Sequence, residues 1–251
     1  MKLDPGRVRF VLVEPQSGGN VGASARAMKN LGFSRMVLVN PACEPLGGEA
    51  RMMAVEAKDV LASAVVVETL DDALSGAACV VGTSRRTGRQ RRPHHRLDEF
   101  SPELLGRARA AELAIVFGRE DHGLCDLDLD LCTHLVHLPG SDDYPSFNLA
   151  QAVLLCAYEL RRAALEPQRE DLSDPPAAHD EREAFYRHLR QALLTIGYVH
   201  GDSVVPIMRR IRRLLGRATV TTEDVQLLRG LARQILWTAE QAGLPIADDE
   251  P

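Results

Sequence analysis

The chain has 251 residues, a formal net charge of −5, 45% hydrophobic residues and 26% charged ones. That length supports a substantial core in one large domain or two unequal ones. No apolar run is long enough to span a bilayer, and MKLDPGRVRF lacks the apolar centre of a signal peptide. The overall acidity argues against a nucleic-acid partner, but the distribution reverses this. Basic residues gather in RRTGRQRRPHHR (85–96) and RRIRRLLGR (209–217), and acidic ones around 166–183 and in DDE (248–250).

The pattern through residue 165 alternates. Strand-like runs are predicted at 9–13, 36–40, 64–68, 78–83, 113–118 and 134–138, with helices at 20–31, roughly 48–62, 71–77 and 102–111. Strands that are apolar on both faces and separated by helices indicate an α/β domain with a mainly parallel sheet. The first strand leads into EPQSGGNVGASARAMKNLGF (14–33), a Gly-rich turn and a helix, with Asn20 as the expected N-cap and Gly32 as the stop. Between Gly18 and Ala27 the side chains are small except for Val21, Asn20 and Arg26. Close helix-on-sheet packing and clearance for a ligand explain this trimming equally well. A further helix, NLAQAVLLCAYELRRAAL, carries one apolar stripe from Leu149 to Leu160.

Residues 166–183 are acidic, contain proline and read as a linker between a domain at 1–165 and a helical extension at 184–246. The extension holds three helical segments, the last opening at Thr221 or Thr222 with Glu223 and Asp224 in its first turn. The five cysteines (Cys43, Cys79, Cys125, Cys132 and Cys156) stand singly, as small core residues of a reduced, cytoplasmic protein do. No Cys/His set has zinc spacing, and His134 and His137 fall on opposite faces of a strand, so no metal site is expected.

In open α/β sheets ligands bind beyond the carboxyl ends of the strands. Those ends carry GTSRRTG (82–88), FGREDHGL (117–124) and LPGSDDYPSFNLAQAV (138–153), with Gly82 and Gly118 permitting close backbone approach. Glu120 and Asp121 also fit a helix first turn, and Ser146 and Asn148 also fit a cap. Taken in order, NVGASARAMKNLGF, IVFGREDHGL and PSFNLAQAVLLCAYEL resemble the three motifs of the SPOUT superfamily of RNA methyltransferases. The branch is the TrmH-like one, and the subgroup is that of TrmJ-type tRNA 2′-O-methyltransferases acting on nucleotide 32 of the anticodon loop. FYRHLRQALLTIGY and MRRIRRLLGRA are similar to that subgroup's C-terminal extension.

The resemblance implies a deep trefoil knot in the C-terminal part of the α/β domain, an obligate homodimer, and S-adenosylmethionine held in the knot. Arg26 matches the catalytic arginine, Asn20 the asparagine of the first motif and Ser146 the serine of the third. Thr83, Ser84, Gly118, Glu120, Leu138, Ser146 and Asn148 lie on the segments implied to hold the cofactor. The family's second motif continues with serine or threonine where Cys125 stands, and its third has leucine where Phe147 stands. A guanidinium does not readily give up a proton in a protein, so the role expected of Arg26 is to position the ribose and stabilise charge on its 2′-oxygen.

The basic segments are then expected tRNA contacts: Arg85, Arg86, Arg89, Arg91 and Arg92 beside the active site, and Arg209, Arg210, Arg212 and Arg213 on the extension. A solvated loop remains the other reading of the first, and membrane-surface binding the weaker other reading of the second. The whole predicts methylation of a tRNA ribose at nucleotide 32. A different tRNA position, rRNA, and a non-catalytic RNA-binding protein of this fold are the alternatives.

Overall fold

A computed structural model describes residues 4–84, 94–141, 143, 146–165, 176–218 and 220–247. Among these residues seven strands form one sheet: β1 (Val8–Val13), β2 (Arg35–Val39), β3 (Val65–Val67), β4 (Ala77–Thr83), β5 (His94–Arg96), β6 (Glu112–Phe117) and β7 (His134–His137). Their order is β3-β2-β1-β6-β4-β7-β5 and every pairing is parallel. A parallel sheet needs cover on both faces, and the alternation along β1 supplies it. Val8, Phe10 and Leu12 enter one core, while Val11 and Val13 enter the other.

On the first face lie α1 (Gly18–Asn30), α2 (Gly48–Ala54), α3 (Lys58–Ala62), α5 (Leu97–Ala110) and α7 (Leu149–Leu165). The second is covered by α4 (Leu70–Leu74) and α6 (Asp126–Leu131). The small residues of α1 do serve packing. A Cβ on Gly22 would stand 2.0 Å from the Ala50 carbonyl oxygen, so only glycine lets α1 and α2 touch backbone to backbone.

Several local expectations change. Helix α1 starts earlier than expected, because the Ser17 hydroxyl accepts the Asn20 amide and takes the cap. The helix expected over 48–62 is two, interrupted at Val55 (φ +52°), where the Ala57 amide turns back to the Ala54 carbonyl. Helix α5 begins at Leu97 and runs through Pro102, with the Ser101 hydroxyl donating to the Asp98 carbonyl that proline leaves without its usual amide donor. His94–Arg96, read as part of a basic loop, is an edge strand on β7.

The C-terminal helices α8 (His179–Thr195), α9 (Val204–Leu215) and α10 (Thr222–Gln241) enclose a small core around Phe185, Tyr186, Met208 and Val225. Helix α8 begins inside the segment read as linker, its first turn fastened to the sheet domain. Asp180 accepts from the Ser75 hydroxyl (2.9 Å) and the Gly76 amide (3.1 Å), and His179 meets Asp71 at 2.8 Å. Arg182 donates to the carbonyls of Ala78 and Ala177. These contacts gather at the start of β4, the end of the sheet opposite the loops that carry the motifs.

Candidate active site

The carboxyl ends of β4, β6 and β7 open into a cavity of about 140 Å³. Thr83, Ser84, Gly118, Glu120, Leu138 and Ser146 all line it, as the sequence reading expects. So do Phe117, Leu124 and Val136, which were not singled out, and Phe147, the departure in the third motif; the four form its apolar side. A strand-end signal was available for Phe117 and Val136, since each sits at or next to the last residue of its strand. Backbone shapes this site. A Cβ on Gly118 would fall 2.1 Å from the Gly123 carbonyl carbon, so any side chain there would force the 118–124 loop open.

Asn148 is not part of the cavity wall. It caps α7 by accepting the Ala150 amide at 2.9 Å, and its own amide donates to Asn20 Oδ1 at 2.9 Å. Asn20 in turn donates to Glu120 Oε1 at 2.9 Å. The second Glu120 oxygen accepts the Gln16 backbone amide at 2.9 Å. One chain of hydrogen bonds therefore joins residues from all three motifs, its Asn148–Asn20 bond linking positions 128 apart, and aims a carboxylate at the cavity. Releasing Asn20 from capping is what makes this possible. Its amide oxygen, which a cap would have used locally, accepts from Asn148 while its nitrogen donates to Glu120, so the side chain bridges two distant loops.

A second brace fixes the same loop. Arg119 grips Glu14 with both ends of its guanidinium, at 2.7 and 2.5 Å. The hydrogen bond from Arg119 is the main cause holding the Glu14 carboxyl below the ordinary glutamate range. Glu14 adopts φ +45° and Asn40 φ +40°, left-handed turns that end β1 and β2. Gln16 also reaches Asp121 at 2.9 Å, which lowers the Asp121 carboxyl.

Arg26 lies outside this cavity, exposed on α1, with no hydrogen bond or ion pair among the described residues. Arg85, Arg86, Arg89, Arg91 and Arg92 lie outside the described residues. On α9 the expected RNA contacts divide. Arg212 is largely buried, bonded twice to Glu183 (2.5 and 2.6 Å) with its guanidinium 4.2 Å above the Tyr186 ring. Arg209 pairs with Asp130 at 2.7 Å. Both hold helices together, their charges already paired within the chain. Arg210 is exposed and Arg213 is partly so.

The cavity suits S-adenosylmethionine. Its apolar side matches a flat heterocycle, Thr83, Ser84, Gly118 and Leu138 wall it at the strand ends, and Glu120 presents a carboxylate to a cationic group. Among the described residues no group of three or more His, Cys, Asp or Glu side chains could hold a metal ion, and no helix is long and apolar enough to cross a membrane.

The chain is similar to known proteins over nearly its whole length. The tRNA (cytidine/uridine-2′-O-)-methyltransferase TrmJ of Sodalis glossinidius is 38% identical over 232 residues, covering 91% of each chain. The tRNA (cytidine/uridine/adenosine-2′-O-)-methyltransferase TrmJ of Pseudomonas aeruginosa is 38% identical over 257 residues, covering 97% of this chain and 99% of the relative. The crystal structure of TrmJ from Z. mobilis ZM4 superposes with a TM-score of 0.79 at 31% identity, over 91% of this chain and 98% of that one. The profile of the TrmJ C-terminal domain matches residues 180–243, which span α8 to α10. With residues 7–158 matching the SpoU rRNA methylase family, and the cavity and its hydrogen-bonded carboxylate built from that same stretch, the chain belongs to the SpoU methylase family, in its TrmJ group.

Proposed function

We infer that the protein transfers a methyl group from S-adenosylmethionine to a ribose 2′-hydroxyl of tRNA, and we propose nucleotide 32 of the anticodon loop as its target. The carrying observation is the Asn148–Asn20–Glu120 chain at the mouth of the cavity, in a protein 38% identical throughout to tRNA 2′-O-methyltransferases. When bound, S-adenosylmethionine supplies an electrophilic methyl group on a sulfonium. The chain's residues then have three tasks. The walls at Thr83–Ser84, Gly118 and Leu138 hold and orient the cofactor, with Ser146 beside them. Glu120 stays aimed into the cavity because two donors fix both its oxygens. Arg26 grips the ribose or its phosphate and stabilises charge on the 2′-oxygen, so alignment and electrostatics carry the acceleration.

We further propose that the enzyme works as a homodimer in the cytoplasm, a knotted catalytic domain carrying the helical extension. Two features support the dimer. Arg26 stands apart from the cavity of its own chain, and α7, which packs beside α1, exposes Leu154, Tyr158 and Leu165. An outer stripe of that kind suits a second copy, whose cavity would then receive Arg26.

Nucleoside mass spectrometry of tRNA from a deletion strain tests the target. Loss of 2′-O-methylation at nucleotide 32 is expected, and its unchanged presence refutes the assignment. Mixing an inactive Arg26→Lys chain with an inactive Gly118→Ala chain tests the dimer. Recovery of activity is expected if arginine and cavity come from different subunits, and no recovery overturns it.

A further inference from the structure

Trp237 is the chain's only tryptophan, and 55% of its surface is exposed on α10. A large aromatic left in water on a helix that has a core of its own to bury is unusual. Its neighbours explain it. Arg229, Arg233, Trp237 and Gln241 follow one another at four-residue spacing and are all exposed, so they form a single ridge along the helix. Val225, Ala232 and Ala239 are the buried positions of α10 and set its inner side against the module's interior.

Neither Arg229 nor Arg233 has a hydrogen bond or ion pair among the described residues. This contrasts with Arg209 and Arg212 on α9, whose charges are neutralised by Asp130 and Glu183. In a chain of net charge −5, a ridge with two uncompensated guanidiniums and an exposed indole has the composition of a single-stranded nucleic-acid site. Arginines meet phosphates, and the indole offers a stacking face to any unpaired base. An apolar groove of about 320 Å³ on the adjoining flank, lined by Ile196, Leu231, Ile235 and Leu244, lacks such charge and suits no polyanion.

We propose that the Arg229–Arg233–Trp237–Gln241 ridge is an RNA-docking surface of the helical module, with Trp237 stacked on an unpaired tRNA base and the arginines on flanking phosphates. This rests on the tRNA methyltransferase reading and adds a contact far from the catalytic cavity. It was not legible as a basic run, because its arginines are spaced a helical turn apart.

The lone tryptophan is its own probe. On titration with tRNA, with excitation at the red edge of its absorption, its emission is expected to quench and to saturate where filter binding saturates. Trp237→Ala is expected to weaken tRNA binding by about 10-fold, and Trp237→Phe to restore most of it. Arg229→Ala and Arg233→Ala are each expected to reduce the salt slope of binding by about one. Calorimetric affinity for S-adenosylmethionine, measured on the same variants, is expected to stay unchanged. Unaltered emission at saturating tRNA, or native tRNA affinity in Trp237→Ala, overturns the proposal while leaving the methyltransferase reading intact. Emission that responds to protein concentration and not to RNA overturns it in favour of a contact between copies. Failure of the wild-type protein to bind any tRNA refutes the underlying reading instead.

Discussion

Helices α1 and α9 each carry arginines that a sequence reading assigns to RNA, and they treat them in opposite ways. On α1 the surroundings are trimmed to glycine, alanine and serine, and Arg26 stands exposed with no partner among the described residues. On α9 the arginines outnumber their space. Arg212 is drawn down onto Glu183 and Tyr186, and Arg209 onto Asp130. The difference teaches that a dense basic run is a poor guide to which guanidiniums face a ligand. Carboxylates contributed by other helices decide that.

The sharpest way to break this comparison is Arg26→Lys. Methylation should fall by about 100-fold or more, as when one transition-state donor is removed, while affinity for S-adenosylmethionine changes less than about twofold. Single-turnover kinetics beside calorimetry would show it; parallel loss of both would place Arg26 in the cofactor site. Arg212→Ala should do the reverse. It leaves Glu183 buried without its partner, at a cost of about 3 kcal/mol to the helical module, with cofactor affinity retained. Denaturant unfolding followed by Trp237 emission measures it, and a stable module would return Arg212 to the list of RNA contacts.

A smaller effect is expected between the two extremes. Asn20→Ala removes the donor to Glu120 and the acceptor for Asn148, and should weaken cofactor binding by about tenfold with little change in melting temperature. Smallest is the acid response. Burial alone would raise the Glu183 carboxyl, but hydrogen bonds and charge from Arg212 outweigh it and leave the group below its ordinary value. A carboxyl depressed in the folded state stabilises above its unfolded value of about 4.3 and loses that contribution as pH falls through the folded value. The module should therefore loosen below about pH 4, and Glu183→Gln should flatten the response; circular dichroism against pH reads both.

Much of the catalytic domain was legible because its signals are local. Apolar runs and turn glycines located six strands, and the motif residues Thr83, Ser84, Gly118, Glu120, Leu138 and Ser146 do line one cavity. β5 escaped notice since His94–Arg96 is too short and polar to carry a strand pattern, and it forms only because β7 offers an edge. The break at Val55 escaped because nothing in MMAVEAK marks a left-handed residue. The helix expected from residue 102 starts at Leu97 instead, the Ser101 hydroxyl compensating for the amide that Pro102 lacks.

By itself, then, the order of residues determined the α/β class, the loops where a ligand binds and the presence of a lone arginine on α1, since periodicity and backbone chemistry are local properties. Tertiary structure alone decided what each polar side chain is for. It moved the α1 cap to Ser17 and so freed Asn20 to link Glu120 with Asn148. It neutralised Arg212 and left Arg229, Arg233 and Trp237 exposed. The physical reason is that a charge or an amide acquires its role from the partner that reaches it, and those partners come from loops and helices far away in the chain.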